Sequence, residues 1–145
     1  MSNISLAEFA DRMTEIMSII SREFMRQQSS TFYKVKVTMP QFVILNFLKR
    51  EGELTMTEIA RFLNVTTAAV TGIIDRLVRE RYAVRMSDPK DRRIVRIKMT
   101  PKGTRVVDSI HQHQHRMLID IFGRITQEER EQYLKILMHI REHLK

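Results

Sequence analysis

Apolar residues near the start of the chain recur at spacings of three and four: Leu6, Phe9, Met13, Ile16, Met17, Ile20 and Phe24, with Glu8, Asp11, Arg12, Glu15 and Arg22 between them. This stripe predicts an amphipathic helix from about Ser5 to Gln28. Gln27, Gln28, Ser29, Ser30 and Thr31 break the pattern and predict a loop. Thr38-Met39-Pro40-Gln41 then combines a cap, a first-turn proline and a capping-box glutamine. The helix it opens carries Phe42, Val43, Leu45, Phe47 and Leu48, and ends near Glu51-Gly52, where glycine supplies a left-handed terminus.

A second capping box, Thr55-Met56-Thr57-Glu58, opens a short helix with Ile59, Ala60 and Leu63 inward. Asn64-Val65 makes a turn, Thr66 or Thr67 caps the next helix, and Val70, Ile73, Ile74 and Leu77 face the core. The small Ala60 suits a close crossing of two helices joined by a short turn. The period then changes from helical to alternating. Residues 83–87 and 94–99 predict half-buried strands around the loop Asp88-Pro89-Lys90-Asp91-Arg92-Arg93. Thr100-Pro101 starts a long helix reaching about Phe122, and Gly123 punctuates it. Thr126-Gln127-Glu128-Glu129 opens a last helix with Tyr133, Ile136, Leu137, Ile140 and Leu144. A hairpin this short cannot stand alone and must lean on the helix pair before it. The fold class is therefore mainly α: a winged helix-turn-helix with a two-stranded β wing, flanked by N- and C-terminal helices. The predicted division is a DNA-binding domain over 37–100, with dimerisation helices over 1–36 and 101–145.

Charge sharpens this picture. Of the 25 Lys/Arg and 17 Asp/Glu, residues 76–105 hold 11 and 3, and the other 115 residues hold 14 of each. The net +8 is thus confined to the end of the second short helix and the hairpin. Such a block implies a polyanionic partner, because neutralising phosphates releases condensed counterions. In a helix-turn-helix, the second helix enters the major groove with its N-terminal residues at base edges. Thr66, Thr67, Ala68, Thr71, Gly72 and Arg76 are the candidates on that helix; Lys90, Arg92 and Arg93 are those of the hairpin loop. The threonines can donate, accept or offer a methyl to thymine, and Ala68 and Gly72 permit close approach. No Asn, Gln or Arg lies in the first turn, so DNA shape should carry part of any specificity. Asp88 and Asp91 sit among these cations, and one of them is expected to brace an arginine.

Residues 38–103 resemble the MarR family of bacterial and archaeal regulators. The resemblance rests on Thr55-Met56-Thr57-Glu58-Ile59-Ala60, Ile74-Asp75-Arg76-Leu77, Asp88-Pro89-Lys90-Asp91-Arg92-Arg93 and Met99-Thr100-Pro101-Lys102-Gly103. It implies a homodimer with intertwined terminal helices, a palindromic operator, repression, and release by an aromatic or phenolic ligand. It also implies that Arg92 and Arg93 contact DNA. The broad terminal stripes support dimerisation independently, since their apolar surface exceeds what the small DNA-reading unit can cover. One departure stands out: Arg81 occupies a position where the family usually has glycine. Either the helix ends differently there, or Arg81 takes a phosphate.

By the same resemblance, a ligand would bind where the terminal helices meet the DNA-reading unit, with Met13, Met17, Phe47, His111 and His115 as candidates. Ordinary core and surface roles compete for each of them. The ten methionines fit either gap-filling or an adaptable cavity. His111/His115 and His139/His143 have metal-chelating spacing, but no carboxylate flanks them at ligand spacing, so no metal or cofactor is assigned. The chain has no cysteine, which removes disulfides, thiolate metal sites and thiol redox switches. No signal pattern and no apolar run approaching ~18 residues is present, so a cytoplasmic protein without a membrane partner is expected. An enzyme is disfavoured, lacking a Gly-rich phosphate loop or readable nucleophile arrangement. An RNA-binding module lacks stacking aromatics in the basic block. A sequence-neutral architectural DNA binder remains the main alternative, given the sparse base-reading side chains.

Overall fold

The computed structural model describes residues 4–144. In chain order it contains α1 (Leu6–Val35), α2 (Met39–Glu51), β1 (Glu53–Thr55), α3 (Met56–Leu63), α4 (Thr67–Arg79), β2 (Ala83–Ser87), β3 (Val95–Met99), α5 (Pro101–Phe122) and α6 (Gln127–His143). Contacts divide the chain into two compact units, one through Ile110 and one from His111, the division falling within α5.

Helix starts follow local chemistry. The capping boxes at Thr38/Gln41, Thr55/Glu58 and Thr126/Glu129 all form, each hydroxyl accepting from the third helical N–H while the carboxylate or amide answers the cap N–H. Thr66, and not Thr67, caps α4 by accepting from the Ala69 N–H. Helix ends are less conventional. Lys36, Asn64 and Arg81 all have positive φ, at 54°, 53° and 62°. Each ends a helix in a Schellman-type pattern: Val37, Val65 and Tyr82 donate to the carbonyls of Phe32, Ala60 and Leu77. No glycine serves at any of the three. Gly52, which ends α2, has φ 90° and ψ −89°, so it is a positive-φ terminus but not the left-handed helical one expected.

In the first unit, Ile44, Leu45 and Leu48 of α2 meet Ile59 and Ala60 of α3, Val70, Ile74 and Leu77 of α4, Ala83 and Ile97 of the sheet, and Val107 and Ile110 of α5. Ile44 is fully buried although it was not among the expected apolar positions of α2, whereas Val43 and Phe47 are only half-buried. A helix surrounded by neighbours has no single stripe, so periodicity under-reads it. Lys49 of α2 and Asp108 of α5 add an exposed ion pair across this unit.

Two other expectations change. The loop predicted over 27–31 is helix, because α1 runs on to Val35. Its last turns dock on the core: Thr31 is buried, Phe32 lies edge-on to Phe42 at 5.5 Å, and Val35 accepts a hydrogen bond from the Tyr82 hydroxyl. Packing thus overrides the weak helix preference of Gln, Ser and Thr. The wing also gains a third strand. β1 pairs antiparallel with β3, Leu54 opposite Ile97, giving the order β1-β3-β2. Three residues after Gly52, the last of them the capping-box Thr55, are too few to display a period of two.

The second unit joins the rest of α5 to α6 through Gly123. Arg130 donates to the carbonyls of Phe122 and Ile125, and the Phe122 and Tyr133 rings lie 5.4 Å apart. No residue of α6 is buried. Among the described residues, no helix is long and apolar enough to cross a membrane.

Candidate nucleic-acid interface

The two short helices α3 and α4 cross over Ile59, Ala60, Val70 and Ile74, which turns the opposite side of α4 outward. Thr66, Thr67, Ala68, Thr71, Gly72 and Arg76 are all exposed there. The Thr71 hydroxyl donates to the Thr67 carbonyl at 2.8 Å, so it offers an outside partner its lone pairs and its methyl. A side chain at Gly72 would meet nothing within 4 Å. Its absence serves no packing inside the protein, although glycine within a helix costs about 1 kcal/mol relative to alanine.

The end of α4 is clamped by the start of α5. Thr100 donates from its N–H to the Tyr82 carbonyl and from its hydroxyl to the Arg81 carbonyl at 2.7 Å. The same hydroxyl accepts the Gly103 N–H, and the Lys102 ammonium donates to the Glu80 carbonyl. A Cβ at Gly103 would stand 2.2 Å from the Tyr82 carbonyl oxygen, so this close approach requires glycine. Thr100-Pro101-Lys102-Gly103 is therefore the joint that fixes α4 against the helix that follows. Arg81 completes the turn in the left-handed conformation, which excludes a different helix ending as the account of the missing glycine. Its exposed guanidinium has no hydrogen bond or ion pair within the described residues.

Lys90, Arg92 and Arg93 are exposed in the loop between β2 and β3. Arg93 lies 3.5 Å from Asp91, whose carboxylate also accepts the Arg93 N–H. The stronger brace is Asp88, which is buried and bonded to Arg96 of β3, a residue absent from the sequence candidates. The Arg96 bond, followed by the Lys90 N–H, holds the Asp88 carboxyl below its ordinary range. Asp75 on α4 and Arg85 on β2 form a second tie at 2.5 Å, linking helix to wing. The pairs join residues eight and ten positions apart across a turn and left no sequence signal beyond their charges.

The candidate ligand residues are placed as follows. Met13 is half-buried and Met17 is 39% exposed, one turn apart on α1. Phe47 stacks on Phe62 with centroids 3.8 Å apart, under Arg50. In the second unit, His111 and His115 border a shallow dent of about 420 Å³ with Gln112 and Arg116. The first unit has a larger open groove of about 820 Å³, lined by Met25, Phe32, Tyr33, Lys36, Val37 and Met39 among others, and by none of the five candidates. Among the described residues, no three His, Cys, Asp or Glu side chains are grouped to hold a metal.

A helix-turn-helix with its second helix turned outward, followed by a wing rich in cations, defines a winged-helix DNA-binding protein. The model of the MarR family matches residues 37–95. YsmB of Bacillus subtilis, an uncharacterized HTH-type transcriptional regulator, is 30% identical, over 97% of this chain and 93% of its own length. The structure is similar to that of YusO from B. subtilis, with a TM-score of 0.86 at 23% identity, covering 96% of this chain and 99% of that one. It is also similar to S. aureus MepR in its DNA complex, with a TM-score of 0.75 at 24% identity over 91% and 99% of the two chains. The chain belongs to the MarR family and is a DNA-binding transcriptional regulator.

Proposed function

We propose that this protein acts in the cytoplasm as a homodimeric repressor on a palindromic DNA operator, and that a small aromatic or phenolic ligand releases it. The observation that carries DNA recognition is the pairing, in one unit, of an outward α4 surface with a cationic wing held by Asp75–Arg85 and Asp88–Arg96. Thr66, Thr67, Ala68, Thr71 and Gly72 approach bases, and the open space at Gly72 suits a partner lying close to the helix. Arg76 and Lys90 take phosphates, and Arg92 and Arg93 reach the minor groove, where negative potential deepens as the groove narrows. Occupying an operator in this way excludes other proteins from it, which is repression.

Residues 1–36 and 101–145 supply dimer contacts around the DNA-binding domain at 37–100. Phe9, Ile16, Ile19 and Ile20 on α1, and Leu134, Ile136 and Ile140 on α6, are each at least 41% exposed in the single chain. Contiguous apolar faces of this kind are covered in a soluble protein. Two-fold pairing sets two α4 helices roughly one DNA turn (~34 Å) apart. Met13, Met17, Phe47, His111 and His115 are the proposed ligand contacts.

The neutral character of Thr67, Ala68, Thr71 and Gly72 favours one competing function, an architectural binder without sequence preference. Selection of bound duplexes from a random DNA pool at physiological salt separates the two. An enriched inverted repeat with half-site centres about 10 bp apart is expected. Binding without an enriched motif would replace the repressor with the architectural protein.

A further inference from the structure

Asp88 is an acid buried at the root of a cationic loop, where an electrostatic account of DNA binding alone would place no negative charge. Its side chain is only 10% exposed, and it bonds to the loop and to β3. Oδ1 accepts the N–H groups of Lys90 at 2.7 Å and Asp91 at 3.3 Å, while Oδ2 accepts from Arg96 Nε at 2.5 Å. The Asp88 N–H closes the loop onto the Ile94 carbonyl, and Ile94 returns to the Asp91 carbonyl. One carboxylate therefore sets the backbone of the turn with one oxygen and anchors that turn to β3 with the other.

Arg96 sits at the centre of the sheet. It lies opposite Thr55 in the β1–β3 register and opposite Met86 in the β2–β3 register, so it occupies the central strand. The carboxylates of Glu58 and Glu53 also act on it electrostatically. Glu58 is itself fixed by the Thr55 N–H and hydroxyl at the start of α3. Bonds therefore join Thr55 to Glu58 and Arg96 to Asp88, and the charges of Glu58 and Arg96 attract each other between them.

We propose that Asp88 and Arg96 are positioning residues for DNA binding: they touch no DNA, and they hold Arg92 and Arg93 in the orientation that reaches it. This rests on the wing–DNA contact proposed above. A flexible loop would have to lose its freedom on binding, which a preorganised loop has already given up.

The sign of one substitution decides the matter. Asp88→Asn keeps the shape and removes a negative charge beside a polyanion. If charge alone governed, affinity would rise. Positioning requires it to fall, by roughly tenfold at physiological salt, with Arg96→Gln giving a similar loss. The test uses the full chain and fluorescence anisotropy on an operator duplex, with circular dichroism melts to verify folding. Hydrogen exchange at the Lys90 and Asp91 amides gives a second readout and should quicken in both variants. The same substitutions are then made over Arg92→Ala/Arg93→Ala. Positioning predicts that Asp88→Asn adds little once the two arginines are gone. Additive losses, unchanged or increased affinity, or unaltered amide exchange would each overturn the proposal. So would an Arg96→Gln effect that persists without the wing arginines and lowers the salt slope by about 1, the mark of a phosphate contact. If Arg92→Ala/Arg93→Ala itself leaves affinity unchanged, the wing–DNA contact fails, and the positioning proposal fails with it.

Discussion

The DNA-reading unit and the last helix treat apolar residues in opposite ways. In the first, Ile44, Leu45, Ile59, Val70, Ile74, Leu77 and Ile97 are inaccessible to solvent. In α6, Leu134, Ile136, Leu137, Met138 and Ile140 are all 43–59% exposed. Composition does not explain the difference, since both regions carry apolar residues at structural spacing. What differs is the supply of neighbours. The first unit brings the end of α1, α2, α3, α4, the start of α5 and a sheet onto one centre, whereas α6 offers a face that no element of its own unit covers. The lesson is that one chain can contain both a self-contained core and an apolar surface that its own unit leaves uncovered.

The largest expected effect probes the self-sufficient side. Leu45→Ala should destabilise the DNA-reading unit by about 2–5 kcal/mol, through lost transfer energy and the cavity left behind. Urea unfolding checks this, and the change should be the same at low and high protein concentration. A concentration-dependent change would show that this core, too, relies on a partner.

The next effect probes the uncovered side and the proposed dimer. Ile136→Glu combined with Ile140→Glu places two charges one turn apart on α6, and should leave a folded monomer by sedimentation velocity. Operator affinity should then fall by about a hundredfold or more, because the second half-site contact ceases to be intramolecular. A variant that stays dimeric would assign the α6 face to something other than self-association.

The smallest effect returns to the junction of α4 and the wing. Arg81 sits at φ 62°, where arginine is disfavoured by about 1 kcal/mol relative to glycine. Arg81→Gly should therefore raise the urea midpoint slightly while the salt dependence of DNA binding stays unchanged. A slope reduced by about 1 would instead assign Arg81 a phosphate and explain why the strained residue is tolerated.

Legibility in the sequence followed the range of the interactions involved. The capping boxes at Thr38, Thr55 and Thr126 each involve residues three apart, and all were visible in the chain. The positions of β2 and β3, the wing loop and the exposure of Thr67, Thr71, Arg92 and Arg93 followed equally from pattern. The last turns of α1 were not visible, because Gln27 to Thr31 become helical only when Phe32 and Val35 find the core. β1 was hidden for the same reason: its partner Ile97 lies 43 positions beyond Leu54 in the numbering. An acid was expected to brace an arginine, yet not which one, since Asp88 passes over Arg92 and Arg93 to reach Arg96 across the strand.

What the sequence determined by itself was therefore the order of the helices and of the two wing strands, the helix starts, and the concentration of positive charge on one segment. Each depends on residues close along the chain. The tertiary structure alone decided which apolar faces are covered, which acid restrains the wing, and that Arg81 must take up a left-handed turn to let Thr100 and Gly103 close against Tyr82. Those outcomes depend on groups brought together from distant positions, where the energy of a contact exists only after the chain has folded around it.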